Sequence, residues 1–144
     1  MSHSPTEMHF EDPDNPLRGL IIDDQRTMRG IVRQLLKQVG ITHVDEARNG
    51  RHALEQLTAP DAKLPDFVIC DLHMDEMDGI EFCNKIRLSK SDKLRMIPII
   101  MLTGETDKFI RSVSRQVGAA HILSKPVTAE QLQESISDAI GFVV

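Results

Sequence analysis

The segment Leu20–Asp24 (LIIDD) joins a short apolar run to two adjacent carboxylates. A run of this kind is typical of a strand buried inside a parallel sheet. Three further runs also end in a residue that can bind phosphate or metal, and these are Phe67–Asp71, Ile99–Thr103 and His121–Lys125. Ligands bind at the carboxyl ends of strands in open α/β sheets. Parallel strands would therefore gather carboxylates, a hydroxyl and an ammonium group at one edge, which suits a divalent cation and a phosphoryl group.

Strand-like and helix-like segments alternate along the rest of the chain. We predict strands at about 17–23, 42–47, 66–71, 97–102 and 120–124. We predict helices at about 25–39, 50–58, 79–89, 106–117 and from 128 onward. This alternation predicts right-handed crossovers that cover both faces of a parallel sheet. The expected fold is a doubly wound α/β domain with strand order 2-1-3-4-5, in which the ends of the first and third strands are neighbours.

Local patterns support two of these helices strongly. The first predicted helix carries one apolar stripe, and a glycine at residue 40 is placed to end it. The stripe consists of Met28, Ile31, Val32, Leu35, Leu36 and Val39. The last helix begins with Thr128 and Gln131 in the spacing of a capping box, so residue 128 is predicted to be its N-cap.

Composition excludes several classes of protein. A chain of 144 residues has the usual size of one domain and can bury a core. The net charge of −5 argues against nucleic acid as a direct partner, because phosphate binding needs a basic surface. No apolar stretch approaches the length of a membrane span. The two cysteines, Cys70 and Cys83, lack a metal-binding spacing, which favours reduced core thiols in a cytoplasmic protein.

The chain divides into a tail and one domain. Residues 1–16 are polar, contain acidic residues and prolines, and are expected to form a flexible tail. Residues 17–144 are expected to form the single α/β domain, because no second domain fits in the remaining length.

The acidic residues have a simpler interpretation that must be weighed first. A lone Asp after an apolar run is most often a turn former. Here a pair, Asp23 and Asp24, is joined by Asp71 on a neighbouring strand, and Thr103 and Lys125 end two other strands. Three clustered carboxylates repel one another unless a cation is present. Hard oxygen ligands favour Mg²⁺ or Mn²⁺, so the sequence predicts a metal site.

Across about residues 17–141 the chain resembles the receiver domain of two-component response regulators, which has a flavodoxin-like fold. Four motifs carry the resemblance. They are the acidic pair Asp23-Asp24, the loop Asp71–Gly79, the pair Thr103-Gly104 and the pair Lys125-Pro126. Their order and spacing together are far more specific than any one of them.

The resemblance implies a role for each motif. Asp71 would be the phosphoacceptor nucleophile, and it would bind the metal together with Asp23, Asp24 and the backbone carbonyl of His73. Lys125 would pair with a phosphoryl oxygen, and the peptide bond between it and Pro126 would be cis. Thr103 would be the switch residue that hydrogen-bonds the phosphoryl group.

The function implied is that of a single-domain response regulator rather than an enzyme. It would accept a phosphoryl group from a sensor histidine kinase or a histidine phosphotransfer protein. Its output would be binding to a downstream protein target or relay of the phosphoryl group. A receiver-like interaction module that is not phosphorylated is an alternative. A flavodoxin-like electron carrier would share the fold, but the chain has no Trp or Tyr to flank a flavin.

Some positions depart from the family's pattern. Asp75 stands where the family often has Pro, and Ile122 stands where it usually has the aromatic residue of the switch. The usual coupling of an aromatic ring to residue 103 is therefore absent, and either an aliphatic shift or another surface must replace it. His73 and Glu105 occupy positions that border the path of the hydrolytic water in the family.

Two surfaces are candidates for partner binding. A basic stripe runs along the polar side of the first helix and consists of Arg26, Arg29, Arg33 and Lys37. In the family this helix docks the kinase or phosphotransfer partner, and a basic stripe could steer an acidic partner to it. An ordinary solvated helix face explains the stripe equally well. The apolar residues Phe142–Val144 could extend packing or contact a partner.

Overall fold

A computed structural model of the chain describes residues 16–104 and 108–141. Three expectations fall on residues outside these ranges and are not tested by them. They concern nearly all of the N-terminal tail, Glu105 and the terminal segment Phe142–Val144.

Five parallel strands form one sheet in the order β2-β1-β3-β4-β5, so the predicted α/β doubly wound fold is confirmed. The strands are β1 (Arg18–Ile22), β2 (His43–Ala47), β3 (Phe67–Asp71), β4 (Ile99–Thr103) and β5 (His121–Ser124). The helices are α1 (Arg26–Gln38), α2 (Gly50–Thr58), α3 (Gly79–Arg87), α4 (Asp92–Arg95), α5 (Lys108–Gln116) and α6 (Ala129–Ile140). Each predicted element lies within two residues of these bounds, but α4 was not predicted. None of the described helices has the length and apolar content to cross a membrane.

The central strands form a core on both faces of the sheet. All five residues of β3 and of β4 are buried, as expected for strands that are covered on both sides. One apolar cluster packs α2, α3 and α5 against one face, and it includes Cys70, Phe82 and Cys83. The second cluster packs α1 and α6 against the other face through Val32 and Leu132. The two cysteines are buried free thiols, and burial raises the pKa of each, so both are neutral core residues.

Helix ends follow the chemistry that the sequence predicts. The Thr128 side chain accepts a hydrogen bond from the Gln131 backbone N–H, and the Gln131 side chain accepts one from the Thr128 backbone N–H, which completes the capping box. Gly40 follows the C-cap of α1 with φ of 89°, a conformation that glycine adopts at little cost.

The apolar stripe of α1 is narrower than the sequence predicts. Val32, Leu36 and Val39 are buried, but Ile31 is 46% exposed. Residue 31 lies about 100° around the helix from residue 32, at the flank of the stripe rather than at its centre. Ile31 is therefore one of four large apolar side chains that the described surface exposes, with Leu88, Met96 and Phe109.

Gly79, the first residue of α3, lies where the helix approaches the end of β3. A Cβ atom at this position would meet the Asp71 carbonyl oxygen at 2.6 Å and the Met101 sulfur at 2.5 Å. The Gly79 backbone N–H also donates to the Leu72 carbonyl oxygen at 2.9 Å, which closes the loop that follows β3. Only glycine permits this close approach of helix and strand.

We predict that Gly79→Ala lowers the free energy of unfolding by about 1–3 kcal/mol, because the added methyl group would displace the backbone of Asp71 or the side chain of Met101. Gly30→Ala is the matched control, since nothing lies within 4 Å of a Cβ atom there. In the interior of α1 that change should stabilise by up to about 1 kcal/mol. Urea denaturation of both variants tests the prediction, and equal effects would contradict it.

Candidate functional site

Two neighbouring strands place the acidic residues together. Ile22 of β1 pairs with Cys70 of β3, so Asp23 and Asp71 follow on adjacent strands at the same edge of the sheet. One carboxylate oxygen from each of Asp23, Asp24 and Asp71 lies within 4.8 Å of the others. Parallel pairing at the switch point of the sheet is the cause of this clustering.

The three carboxylates differ in exposure and environment. Asp23 is 2% exposed and Asp71 is 7% exposed, whereas Asp24 is exposed. The Asp23 Oδ1 atom accepts a hydrogen bond from the Gln25 backbone N–H at 2.9 Å. Burial is the largest influence on the pKa of Asp23 and raises it, and repulsion from Asp71 and Asp24 acts in the same direction. The Gln25 hydrogen bond and the Lys125 charge oppose this rise but do not cancel it.

Lys125 supplies the positive charge next to the cluster. Its Nζ atom lies 2.8 Å from the Asp71 Oδ1 atom and 3.8 Å from the Asp23 Oδ2 atom. Its backbone N–H donates to the Thr103 carbonyl oxygen at 2.9 Å, which ties the residue after β5 to the end of β4. The peptide bond between Lys125 and Pro126 is cis. One ammonium group faces three carboxylates, so the site carries a net negative charge.

Thr103 and Ile122, the residues at the expected switch positions, lie on β4 and β5, and β4 is the neighbour of the strand that carries Asp71. Thr103 ends β4 with a fully buried side chain, and its register partner on β5 is Ser124. Ile122 is partly buried against the cluster that contains Met101. Arg111 of α5 donates to the Ile122 carbonyl oxygen at 3.3 Å and also to the Ser124 hydroxyl oxygen. Helix α5 is thus bound directly to the strand that carries the aliphatic residue at the switch position.

The loop after β3 is shaped by a helix cap and by one residue in the left-handed conformation. Asp78 caps α3, since its Oδ1 atom accepts a hydrogen bond from the Glu81 backbone N–H at 2.8 Å. Glu76 has φ of 66°, which is the left-handed region and is uncommon for a residue with a Cβ atom. His73 and Asp75 are exposed in this loop.

Two of the four residues in the predicted basic stripe of α1 are paired with an acidic residue. Arg29 and Arg33 do not form an open stripe with Arg26 and Lys37, because both bind Glu46 of β2. The distance from Arg29 Nε to Glu46 Oε1 is 2.8 Å, and Arg33 Nη2 lies 2.7 Å from Oε2. Arg33 also donates to the Val44 carbonyl oxygen. Sequence spacing places residues on a helix face, but it does not show that the neighbouring strand presents an acid there.

Arg29 has a positioning role that sequence reasoning, which assigned it only to the basic stripe, missed. Its Nη1 atom donates to the Asp23 carbonyl oxygen at 2.7 Å while its Nε atom holds Glu46. It therefore connects α1, the acidic turn after β1 and the edge strand. No spacing signal identifies this contact, because it depends on how the helix lies on the sheet.

The donor set suits a hard divalent cation. All three side chains offer carboxylate oxygens, which are the ligands that Mg²⁺ and Mn²⁺ prefer, and the exposed position of Asp24 leaves access for water ligands. A cation there would offset the repulsion that contributes to the raised pKa of Asp23.

A doubly wound sheet of order 2-1-3-4-5 with three carboxylates and a lysine at its switch point defines a receiver-type α/β domain. Residues 20–137 match the family described as the response regulator receiver domain, and the chain belongs to that family.

Two relatives and one solved structure support the assignment to this family. The chain is 36% identical over 120 residues to the chemotaxis protein CheY-3 of Vibrio cholerae, covering 83% of this chain and 88% of that protein. It is 36% identical over 121 residues to the sensor histidine kinase CheAY of Helicobacter pylori, covering 84% of this chain but 15% of that protein. The crystal structure of a putative response regulator from Chloroflexus aurantiacus superposes with a TM-score of 0.78 at 28% identity, covering 88% of this chain and 99% of that one. The chain is therefore a receiver domain homologous to CheY-type response regulators.

The charge on Glu46 gives a pH-dependent prediction. Burial acts to raise its pKa, but hydrogen bonds from Arg33 and Arg29 outweigh burial and lower the pKa below its ordinary value of 4.5. A lowered pKa in the folded state contributes stability above the unfolded value, and this contribution is lost as the pH falls through the folded value.

We predict that Glu46→Gln costs about 1 kcal/mol at pH 7, because it removes two charge-assisted hydrogen bonds at a partly exposed site. The difference from the unmodified chain should shrink below pH 4.5. Glu55→Gln is the control, since its partner Arg51 lies 3.8 Å away and both side chains are largely exposed. Urea titrations at several pH values measure the effect, and a pH-independent difference would contradict the assignment.

Proposed function

We propose that this receiver domain is a phosphoacceptor switch that takes a phosphoryl group from phosphohistidine onto Asp71. The observation that carries the proposal is the environment of that carboxylate. It is nearly buried, it lies beside two further carboxylates, and its Oδ1 atom is paired at 2.8 Å with the only ammonium group in contact with it among the described residues.

The chemistry requires a nucleophile and neutralised charge. A carboxylate oxygen of Asp71 forms a bond to phosphorus while the bond from phosphorus to the histidine nitrogen breaks, and the imidazole keeps the electron pair. Positioning and charge neutralisation provide most of the rate enhancement in such transfers. Lys125 is placed to pair with a phosphoryl oxygen because its Nζ atom already contacts Asp71. The product is an aspartyl phosphate on the protein, and in this proposal the chain promotes only its own phosphorylation and dephosphorylation.

The metal site follows from the same residues. Asp23, Asp24, Asp71 and the backbone carbonyl of His73 would hold Mg²⁺ or Mn²⁺ when it is bound. The ion would supply the positive charge that a dianionic phosphoryl group needs beside three carboxylates. Two hydrogen bonds help to position Asp23 for this role, since its carboxylate accepts one from the Gln25 N–H and its backbone carbonyl accepts one from the Arg29 guanidinium.

We propose that the conformational output runs through β4 and β5. Thr103 would hydrogen-bond the phosphoryl group, and its carbonyl oxygen already binds the backbone N–H of Lys125. Movement at this point would reach β5, where Arg111 binds the carbonyl oxygen of Ile122. An aliphatic shift of Ile122 together with α5 would then replace the rotation of an aromatic ring.

The partners proposed are a sensor histidine kinase or a histidine phosphotransfer protein, and a downstream protein target. One relative is a sensor histidine kinase by name, and the match spans 84% of this chain but 15% of that protein, which supports a kinase as partner. On α1, Arg26 and Lys37 are the residues of the basic stripe that the structure leaves exposed for steering. The cytoplasmic location stays a prediction.

We predict that acetyl phosphate with Mg²⁺ adds one phosphoryl group to the chain, because the small donor needs only the acceptor and the cation. Asp71→Asn should abolish the gain, while Asp61→Asn, which removes an exposed loop carboxylate, should leave it unchanged. Intact-protein mass spectrometry measures the gain. Absence of the gain in the unmodified chain, or its persistence in Asp71→Asn, would reject the switch and favour a module that is not phosphorylated.

We predict separately that Mg²⁺ stabilises the folded chain, by about 2.7 kcal/mol at a concentration of 100 times its Kd, since it binds the folded acidic cluster. Asp24→Asn removes an exposed ligand with little effect on packing and should weaken this stabilisation. Asp92→Asn, far from the cluster in α4, is the control. Thermal unfolding with and without Mg²⁺ decides the matter, and equal shifts in both variants would remove Asp24 from the site.

A further inference from the structure

The segment Lys85–Met96, here called the basic apolar loop, lies at the amino end of the sheet, opposite the acidic cluster. It contains the end of α3, the short helix α4 and the turn between them. Leu88 is 73% exposed and Met96 is 72% exposed, although the loop leads directly into the buried strand β4. Two large apolar side chains are thus presented to the surface within one short segment.

Hydrogen bonds hold this loop in a defined shape. The Arg87 Nη1 atom donates to the carbonyl oxygens of Arg95 and Ile97 at 2.8 Å each, which are the residues on either side of Met96. Its Nη2 atom donates to the Gly118 carbonyl oxygen at 2.8 Å. Leu88 directly follows Arg87 in the chain. The exposed apolar pair is therefore displayed by an ordered scaffold rather than by a loose turn.

The loop is also strongly basic within an acidic chain. It contains five basic residues, Lys85, Arg87, Lys90, Lys93 and Arg95, and one acidic residue, Asp92, which gives a net charge of +4 within a chain of net charge −5. A surface that combines positive charge with exposed apolar side chains matches a segment that is acidic and carries apolar residues.

The N-terminal segment, residues 1–15, has this composition. It contains four acidic residues, Glu7, Glu11, Asp12 and Asp14, and no Lys or Arg, so its net charge is −4. Met8 and Phe10 lie among these carboxylates. The segment and the basic apolar loop therefore have equal and opposite charge, and both carry large apolar side chains.

The topology brings the two within reach. Residue 16 precedes β1, which begins at the same end of the sheet as β4, and β3 is the only strand between them. Neighbouring strands are about 4.8 Å apart, so the starts of β1 and β4 are separated by about 10 Å. Six residues of extended chain, from residue 10 to residue 16, span about 20 Å. The N-terminal segment can therefore reach the loop without crossing the body of the domain.

We propose that the N-terminal segment docks on the basic apolar loop of its own chain, with Met8 and Phe10 against Leu88 and Met96 and with its carboxylates beside the surrounding lysines. The docked segment covers a surface at the end of the sheet away from Asp71. The proposal does not depend on phosphorylation of the domain.

The test uses the full chain with a nitroxide spin label at Ser4→Cys, since both native cysteines are buried. Paramagnetic broadening of amide signals in residues 88–96 is expected in NMR spectra. The double variant Lys90→Glu and Lys93→Glu should lose the broadening, because it reverses two exposed charges of the loop. Lys63→Glu reverses one exposed charge in the turn before β3 and should keep it.

Several results would overturn the proposal. Absence of broadening in residues 88–96 would leave this surface to an external acidic partner or a membrane. Broadening that survives the double charge reversal would show that the contact is not the one described. Broadening that appears only when labelled and isotope-enriched molecules are mixed would assign the contact to a second copy of the chain.

Discussion

The clustering of three carboxylates around one ammonium group is the constraint on which the rest of the structure depends. The polarity of the sheet forces it, because parallel neighbours β1 and β3 end at the same edge, where Asp23 follows β1 and Asp71 ends β3. Burying Asp23 and Asp71 costs free energy unless hydrogen bonds and opposite charge offset it. Lys125 offsets the charge of one carboxylate at 2.8 Å. The pKa of Asp23 is nevertheless raised, because burial and repulsion from the other carboxylates are not fully offset. The negative charge that remains attracts a divalent cation, and the cation in turn can bind an anionic phosphoryl group at the same site.

Protein contacts on both sides hold this cluster in place. Asp23 is held from two sides, by the Gln25 N–H on its carboxylate and by Arg29 on its carbonyl oxygen. Glu46 in turn orients the arginine. On the other side of the site, the close approach at Gly79 fixes the backbone of Asp71. The geometry is therefore fixed by contacts within the protein, which is the arrangement expected where catalysis rests on positioning and electrostatics.

The sequence predicted the fold and the site to the extent that each depends on local pattern. Buried runs identify strands, and the residue after each run must lie at the carboxyl edge once the strands are parallel. Contacts set by packing between distant segments left no such signal. Arg29 and Arg33 looked like a solvated stripe because the acid that binds them is on another element. Arg87 binds three carbonyl oxygens, which have no side-chain signature, and α4 is too short for periodicity to show. Ile31 was misplaced because one residue of rotation separates the stripe from its flank.

The two charged regions of the chain lie at opposite ends of the sheet. A five-residue strand such as β4 spans about 17 Å, whereas the Debye length at physiological ionic strength is about 8 Å. Salt therefore screens their interaction through solvent, whereas the burial of Asp71 leaves its interaction through the protein interior less screened. A mechanical connection remains, because β4 joins the loop at its start to Thr103 at its end, and all five of its residues are buried. An influence of the N-terminal segment on the acidic cluster can therefore pass through the position of this strand as well as through the field of its charges.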